Sequence, residues 1–432
     1  MKKKGGIIII IIALCVVAFA FLSSDTGSEF MSGYGVNFKN NVNSIFKKLN
    51  ITLPESWQKF LDDVPKEEQP ETEYDRLKQE YEKQQKEEEE NADKQTEIDN
   101  NEYNSTNISH TGKNIAMENA SAGRYARYGG GILCAAETSL TFYSQNGERK
   151  WSVPIQISSP VLRVSGDFIL LFEKSGQKFS VYNGQKNLYT KSTVGKISTG
   201  AISADGDASF VFERGDYKGS VSVYNKSGKE VYLWNSGTYR VMDADMSASR
   251  RLAVALLDAE GSPSSKIYFF DISKSDPDAS IDIADSLVFD IAFDGDVLNA
   301  FADNKIMGIS ANAKEKWAYS TEGKNTMAYS MSAGGTKVVV FDNNNSSEIT
   351  LVSGNGAEKG IIKSEVLPDF ADVFDGRILY NMGRTLVLTN LSGETISKYT
   401  CSRDIKRAYI INSDNIFIVY NSSIEFLDMK GK

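Results

Sequence analysis

From Gly129 onward one pattern recurs eight times: a turn marked by glycine, aspartate or serine, followed by an apolar strand. It reads GGGILCAA at 129, SGDFILLF at 165, DGDASFVF at 205 and SRRLAVAL at 249, then DGDVLNAF at 294, GGTKVVVF at 334, DGRILYNM at 375 and SDNIFIVY at 413. After most of these comes a second strand, such as SLTFYS at 139, KFSVYN at 178 or KIYFFD at 266. A polar turn and a third strand follow, as in NGERKW at 146, SGKEVYLW at 227 and NAKEKWAY at 312. Trp151, Trp234 and Trp317 fall at corresponding places in that third strand. A repeat of this length constrains the fold more than any single motif does.

The unit is a small four-stranded sheet of about forty residues. Alone, such a sheet cannot bury both of its faces. Stacked radially, each sheet covers the next, and only short edges remain. Asn-Gly and Asp-Gly supply the positive φ that tight hairpins require. The fold class expected is therefore all-β: a β-propeller over residues 113–432, eight-bladed, with seven blades as the alternative. The last repeat lacks an outer strand, whereas the spare segment Lys113–Ala120 precedes the first. That segment is expected to complete the last blade and so close the ring.

The N-terminus reads differently. Lys2, Lys3 and Lys4 precede an unbroken apolar run from Ile7 to Leu22. With its flanks, residues 5–23, this run is long enough for one transmembrane helix. The lysines place residues 1–4 in the cytoplasm and the rest of the chain outside it. Cleavage after Ala18-Phe19-Ala20 would leave Phe21-Leu22 of the same run on the product, and Leu14 before Cys15 does not suit a lipidation site. The expectation is an uncleaved signal anchor in the cell membrane.

Residues 30–65 read as a short helical pair. Phe38, Val42, Ile45, Phe46 and Leu49 share one helical face, and Trp57 and Phe60 belong to the second helix. The two faces either bury each other or form a membrane- or partner-facing surface. Residues 66–112 are an acidic stalk and linker, helical or disordered. Within 66–102 there are six basic and fifteen acidic side chains, a net of −9 that equals the net charge of the whole chain. The remainder is balanced, so the overall acidity describes the stalk and not a binding face.

Chemistry is scarce. The chain has one histidine, His110 in the linker, and three widely spaced cysteines. A serine triad, a histidine metal site and a cysteine zinc site are thereby disfavoured. Asp205-Gly206-Asp207 and Asp294-Gly295-Asp296 stand at the repeated turn without a calcium-loop ligand set. Asp276, Asp278, Asp282 and Asp285 form a denser acidic set that reads as a solvated loop. The charge-balanced body and the extracytoplasmic address argue against nucleic acid.

The strand–Asn-Gly-x-x-x-Trp element, YSQNGERKW, resembles the quinoprotein-type (PQQ-like) propeller repeat, over roughly Lys113 to the C-terminus. The whole layout resembles bacterial single-pass membrane proteins that carry such a propeller and have no assigned role. It is also similar to the propeller lipoprotein of outer-membrane assembly, which implies a scaffold. Quinoprotein dehydrogenases are implied to use a vicinal cysteine pair and acidic calcium ligands. Cys134 and Cys401 are far apart, and no Cys-Cys occurs. The function expected is thus a non-enzymatic, membrane-anchored protein-interaction or envelope scaffold, without cofactor or metal. Its partners would be the membrane and an envelope protein or polymer. A small-molecule-binding or sensing propeller is the alternative, and a quinoprotein-like enzyme stands third.

Overall fold

The computed structural model describes residues 111–259, 264–343 and 347–429. The anchor, the helical pair and the stalk expected from the sequence lie outside the described residues. Within them are eight four-stranded antiparallel sheets, and seven are built from consecutive strands. The eighth combines Arg407–Asn412, Asn415–Val419 and Ser423–Asp428 with a strand from the other end of the propeller, Thr111–Ala116. The expected ring closure is therefore present. Thr111 pairs with Asp428 and Ala116 with Ser423. The closing strand is shorter at its C-terminal end than the expected Lys113–Ala120. Asn119 turns into the left-handed region at φ 53°, and a 3-10 turn takes Ala120–Ala122.

In every blade the strands step outward from the channel. The inner strands are Arg124–Tyr128, Pro160–Ser165, Ile197–Ile202, Arg240–Met246, Val288–Asp294, Asn325–Met331, Ala371–Phe374 and Arg407–Asn412, blades 1 to 8 in order. The two central strands of each blade carry the repeated apolar runs, and they are buried nearly throughout, as in Gly131–Ala135 and Ala208–Phe212. Their alternation feeds two different cores. Ile132 and Cys134 face blade 8, while Leu133 and Ala135 face blade 2. Buried apolar clusters occupy all eight junctions between neighbouring blades, including the one between blades 8 and 1.

Antiparallel order gives the ring two distinct ends. Hairpins joining inner to second strands, and third to outer strands, lie at one end, the turn face. Linkers between blades, and hairpins joining second to third strands, lie at the other, the linker face. The chain enters the ring at the turn-face end of Thr111–Ala116.

The repeated turn glycines do two jobs. Gly356 has φ +81°, and a Cβ there would sit 2.5 Å from the Trp317 ring on the neighbouring blade. Gly228, with φ +80°, packs in the same way on Tyr189. The Asn-Gly or Ser-Gly turn and the outer-strand aromatic of the sequence repeat are thus two halves of one contact between blades. Lys337, fully buried at the junction of blades 5 and 6, lies with its Nζ 4.4 Å from the centre of the Trp317 ring. Burial pushes its pKa down to about 8.

The closing strand generates a prediction. A chain beginning at Asn107 should unfold cooperatively. One beginning at Ser121 exposes the edge of Ser423–Asp428 and should melt several degrees lower or aggregate. Equal melting temperatures would show that the strand does not hold the ring closed.

Candidate interaction face and central channel

Inner strands have a free edge, because nothing pairs with the side that lines the channel. Unpaired backbone groups there need partners. In this ring, side chains of the preceding blade supply several of them. Asp243 Oδ2 accepts from the Ile291 amide at 3.1 Å, and Asp245 Oδ2 accepts from the Phe293 amide at 2.7 Å. Asp372 Oδ2 accepts from the Ile410 amide at 2.9 Å. Arg127, from blade 1, reaches past blade 8 and donates twice to Asp372, at 2.7 and 3.0 Å, and once to the Ile410 carbonyl. The guanidinium also lies 4.4 Å from the centre of the Phe374 ring. Ser330 adds a donor to Asp372 from blade 6.

Three carboxylates, Asp243, Asp245 and Asp290, gather between blades 4 and 6. Asp290 accepts from the Tyr329 hydroxyl at 2.6 Å. Burial, reinforced by the Asp290 charge, holds Asp243 well above the usual carboxylate range. Burial likewise pushes Asp245 up to about 6, against the opposing pull of the Phe293 amide and the Arg163 charge. Tyr329 is raised by burial and by Asp290. Arg163, exposed on the inner strand of blade 2, hydrogen-bonds among the described residues to the carbonyl of Leu162.

A second feature lies on the linker face. In blades 3, 4, 5 and 6 the inner strand bulges near its start, with one residue left opposite nothing; in blade 3 that residue is Ser198, and in the other three it is large and apolar. Val241 pairs with Leu256 and Asp243 with Ala255, so Met242 is extra. Phe289 is extra between Val288 and Asp290, and Met327 between Thr326 and Ala328. A bulge re-aims its side chain. Here all three large apolar side chains are exposed, at 36%, 43% and 53%. Val194, Tyr217, Leu287 and Val366, also exposed, belong to linkers or hairpins of the same end.

The sequence reading placed its site on Phe38, Val42, Ile45, Phe46, Leu49, Trp57 and Phe60, which lie outside the described residues. The acidic set of blade 4 is partly tied down: Asp278 takes two hydrogen bonds from Arg251, and Asp282 pairs with Lys266. Asp207 pairs with Arg250 at 3.1 Å. Cys134 lies in the second strand of blade 1, and Cys401 follows the outer strand of blade 7. Both thiols are free and buried, and burial pushes them up, to about 11 and about 12. The channel aspartates and the bulge residues were not anticipated. The signal available was the pair Val-Met-Asp at 241 and Val-Phe-Asp at 288. It sits in half-exposed strands, where the repeat is weakest.

The raised Asp245 pKa has a consequence for stability. An unfolded aspartate titrates near 3.9. The folded ring therefore binds the extra proton between about pH 4 and 6. Stability from this group is full below pH 4 and is lost as pH rises through about 6, by about 3 kcal/mol in total. Asp245→Asn keeps an acceptor for the Phe293 amide and removes the titration. Melting temperature measured from pH 4 to 7 should fall less in this variant than in the wild type. Parallel profiles would show that Asp245 titrates normally.

Comparison with known structures agrees on the ring. The chain is similar to the C-terminal WD40 domain of Sif2, at 10% identity over 73% of this chain and 97% of that one, with a TM-score of 0.54. It is similar to the computationally designed protein Ika8, at 12% identity over 70% and 95%, with a TM-score of 0.53. A third similar structure is BamB from Moraxella catarrhalis, at 11% identity over 74% and 99%, with a TM-score of 0.47. At these identities the likeness is one of fold. No curated protein matches the chain in sequence. The eight-sheet ring fills nearly all of residues 99–431, the stretch that matches the family of unknown function DUF5711, and the chain belongs to that family.

Proposed function

We propose that the ring is a protein-docking module that performs no catalysis, held outside the cytoplasm by the apolar N-terminal segment. The observation that supports it is the arc of Met242, Phe289 and Met327, exposed at the equivalent bulge of three consecutive blades. Large apolar side chains gathered at one end of a soluble ring favour a protein partner. A small molecule in the channel is the weaker reading. Asp243, Asp245, Asp290 and Asp372 already accept hydrogen bonds from amides, Tyr329 or Arg127. The scaffold role extends to an envelope protein or polymer as partner, because the three N-terminal lysines and the run Ile7–Leu22 favour an extracytoplasmic ring.

Two measurements test this reading. Reporters fused to the C-terminus should be active only outside the cytoplasm, and cytoplasmic activity would defeat the placement. A photo-crosslinking residue at Phe289 should give discrete protein adducts in living cells. The same residue at Asp205, on the turn face, should give few. Absence of adducts from Phe289 in a stably accumulating protein would overturn docking through the linker face.

A further inference from the structure

The two ends of the inner strands differ in charge, although the linkers to them also carry Asp285, Glu365, Asp369 and Asp404. At the turn face, the hairpin residues between inner and second strands include Asp167, Asp205, Asp207, Asp296, Asp375 and Asp414. Among the described residues Arg250 is the one cation between those strands, although Arg251, Lys337 and Arg377 open the second strands of their blades. At the linker face the first residue of the inner strand, or the residue just before it, is a cation in five blades. In blade 6 it is Lys324, which is half-buried and paired with Glu348. The other four are Arg124 in blade 1, Lys196 in blade 3, Arg240 in blade 4 and Arg407 in blade 8, all exposed. Among the described residues none of the four forms an ion pair. Arg124 donates only to the carbonyls of Ala122 and Gly123.

Arg240 stands two residues before Met242, so an exposed guanidinium adjoins the apolar arc on its own strand. Lys196 flanks it from blade 3, and Arg407 and Arg124 lie across the channel. We propose that the linker face takes an acidic amphipathic segment of a partner protein. Apolar side chains of that segment cover Met242, Phe289 and Met327, and its carboxylates meet Arg240 and Lys196. Methionine and phenylalanine provide adaptable apolar contact, and arginine holds carboxylates with two parallel hydrogen bonds. The turn face, lined by aspartates, repels the same ligand. The proposal rests on the docking reading above and adds the chemistry of the partner.

The test uses the full-length chain and three fluorescent peptides. One carries glutamate with leucine and phenylalanine in helical spacing. The second replaces glutamate by lysine, and the third replaces the apolar residues by serine. Anisotropy should show the first binding at least about tenfold tighter than the others, more weakly as salt rises. Arg240→Glu and Phe289→Ser should each weaken it about tenfold, while Asp205→Lys leaves it unchanged. Equal binding of the lysine peptide, indifference to Arg240→Glu, binding of none of the three peptides, or self-association through this face would overturn the proposal. If adducts at Phe289 persist in cells while the glutamate peptide fails, docking stands and the acidic chemistry is wrong.

Discussion

A blade of this ring has no stable existence by itself, because both of its faces are apolar and each needs a neighbour. Everything else in the propeller follows from the contact between blades. Ile132 and Cys134 on one side, and Leu133 and Ala135 on the other, assign the same strand to two cores. The chain of contacts therefore has no end until blade 8 meets blade 1. That last junction is secured twice. Phe417 and Phe426 pack with Ile132 and Tyr143, and the strand Thr111–Ala116 completes the blade across the two ends of the propeller.

Closing the ring creates a second problem at its axis. Eight inner strands turn free edges toward the channel, where the next strand is too far around the circle to pair. Side chains fill in for the absent ladder. Asp243, Asp245 and Asp372 each reach an amide of the following blade, and Arg127 ties blade 1 to blades 7 and 8. Burying carboxylates this way is costly, which is why Asp243 and Asp245 are held above the usual range. The same economy explains why a charged channel need not be a ligand site. Asp243, Asp245, Asp290, Asp372 and Arg127 are already engaged in holding blades together.

The bulges connect this internal arrangement to the surface. In blades 4, 5 and 6 each places one large side chain at the linker-face mouth, and in blades 4 and 5 an aspartate follows it directly. Met242 and Asp243, or Phe289 and Asp290, are therefore neighbours with opposite fates, one exposed and one drawn toward the next blade. Contacts between blades and exposed apolar surface are thus built into adjacent residues of the same strands, while the acidic hairpins face the other way.

The eightfold repeat, the strand pairs within each blade and the need for a closing segment were legible in the sequence. Turn glycines and buried alternating strands obey local rules of φ and of apolar periodicity. The recurring turn and tryptophan were legible too, but their contact between blades, as of Trp317 with Gly356, was not. What only the tertiary structure decided were contacts between residues far apart in the chain. The pairing of Arg127 with Asp372, 245 residues away, exists because the ring brings blade 1 back to blade 7. The exposure of Met327 arises from a register shift that no composition reveals. Nor could periodicity fix that the closing strand stops at Ala116, since that depends on the left-handed turn at Asn119 and on where blade 1 begins. Local propensity determines the blade, and closure in three dimensions determines which of its side chains meet one another and which are left exposed.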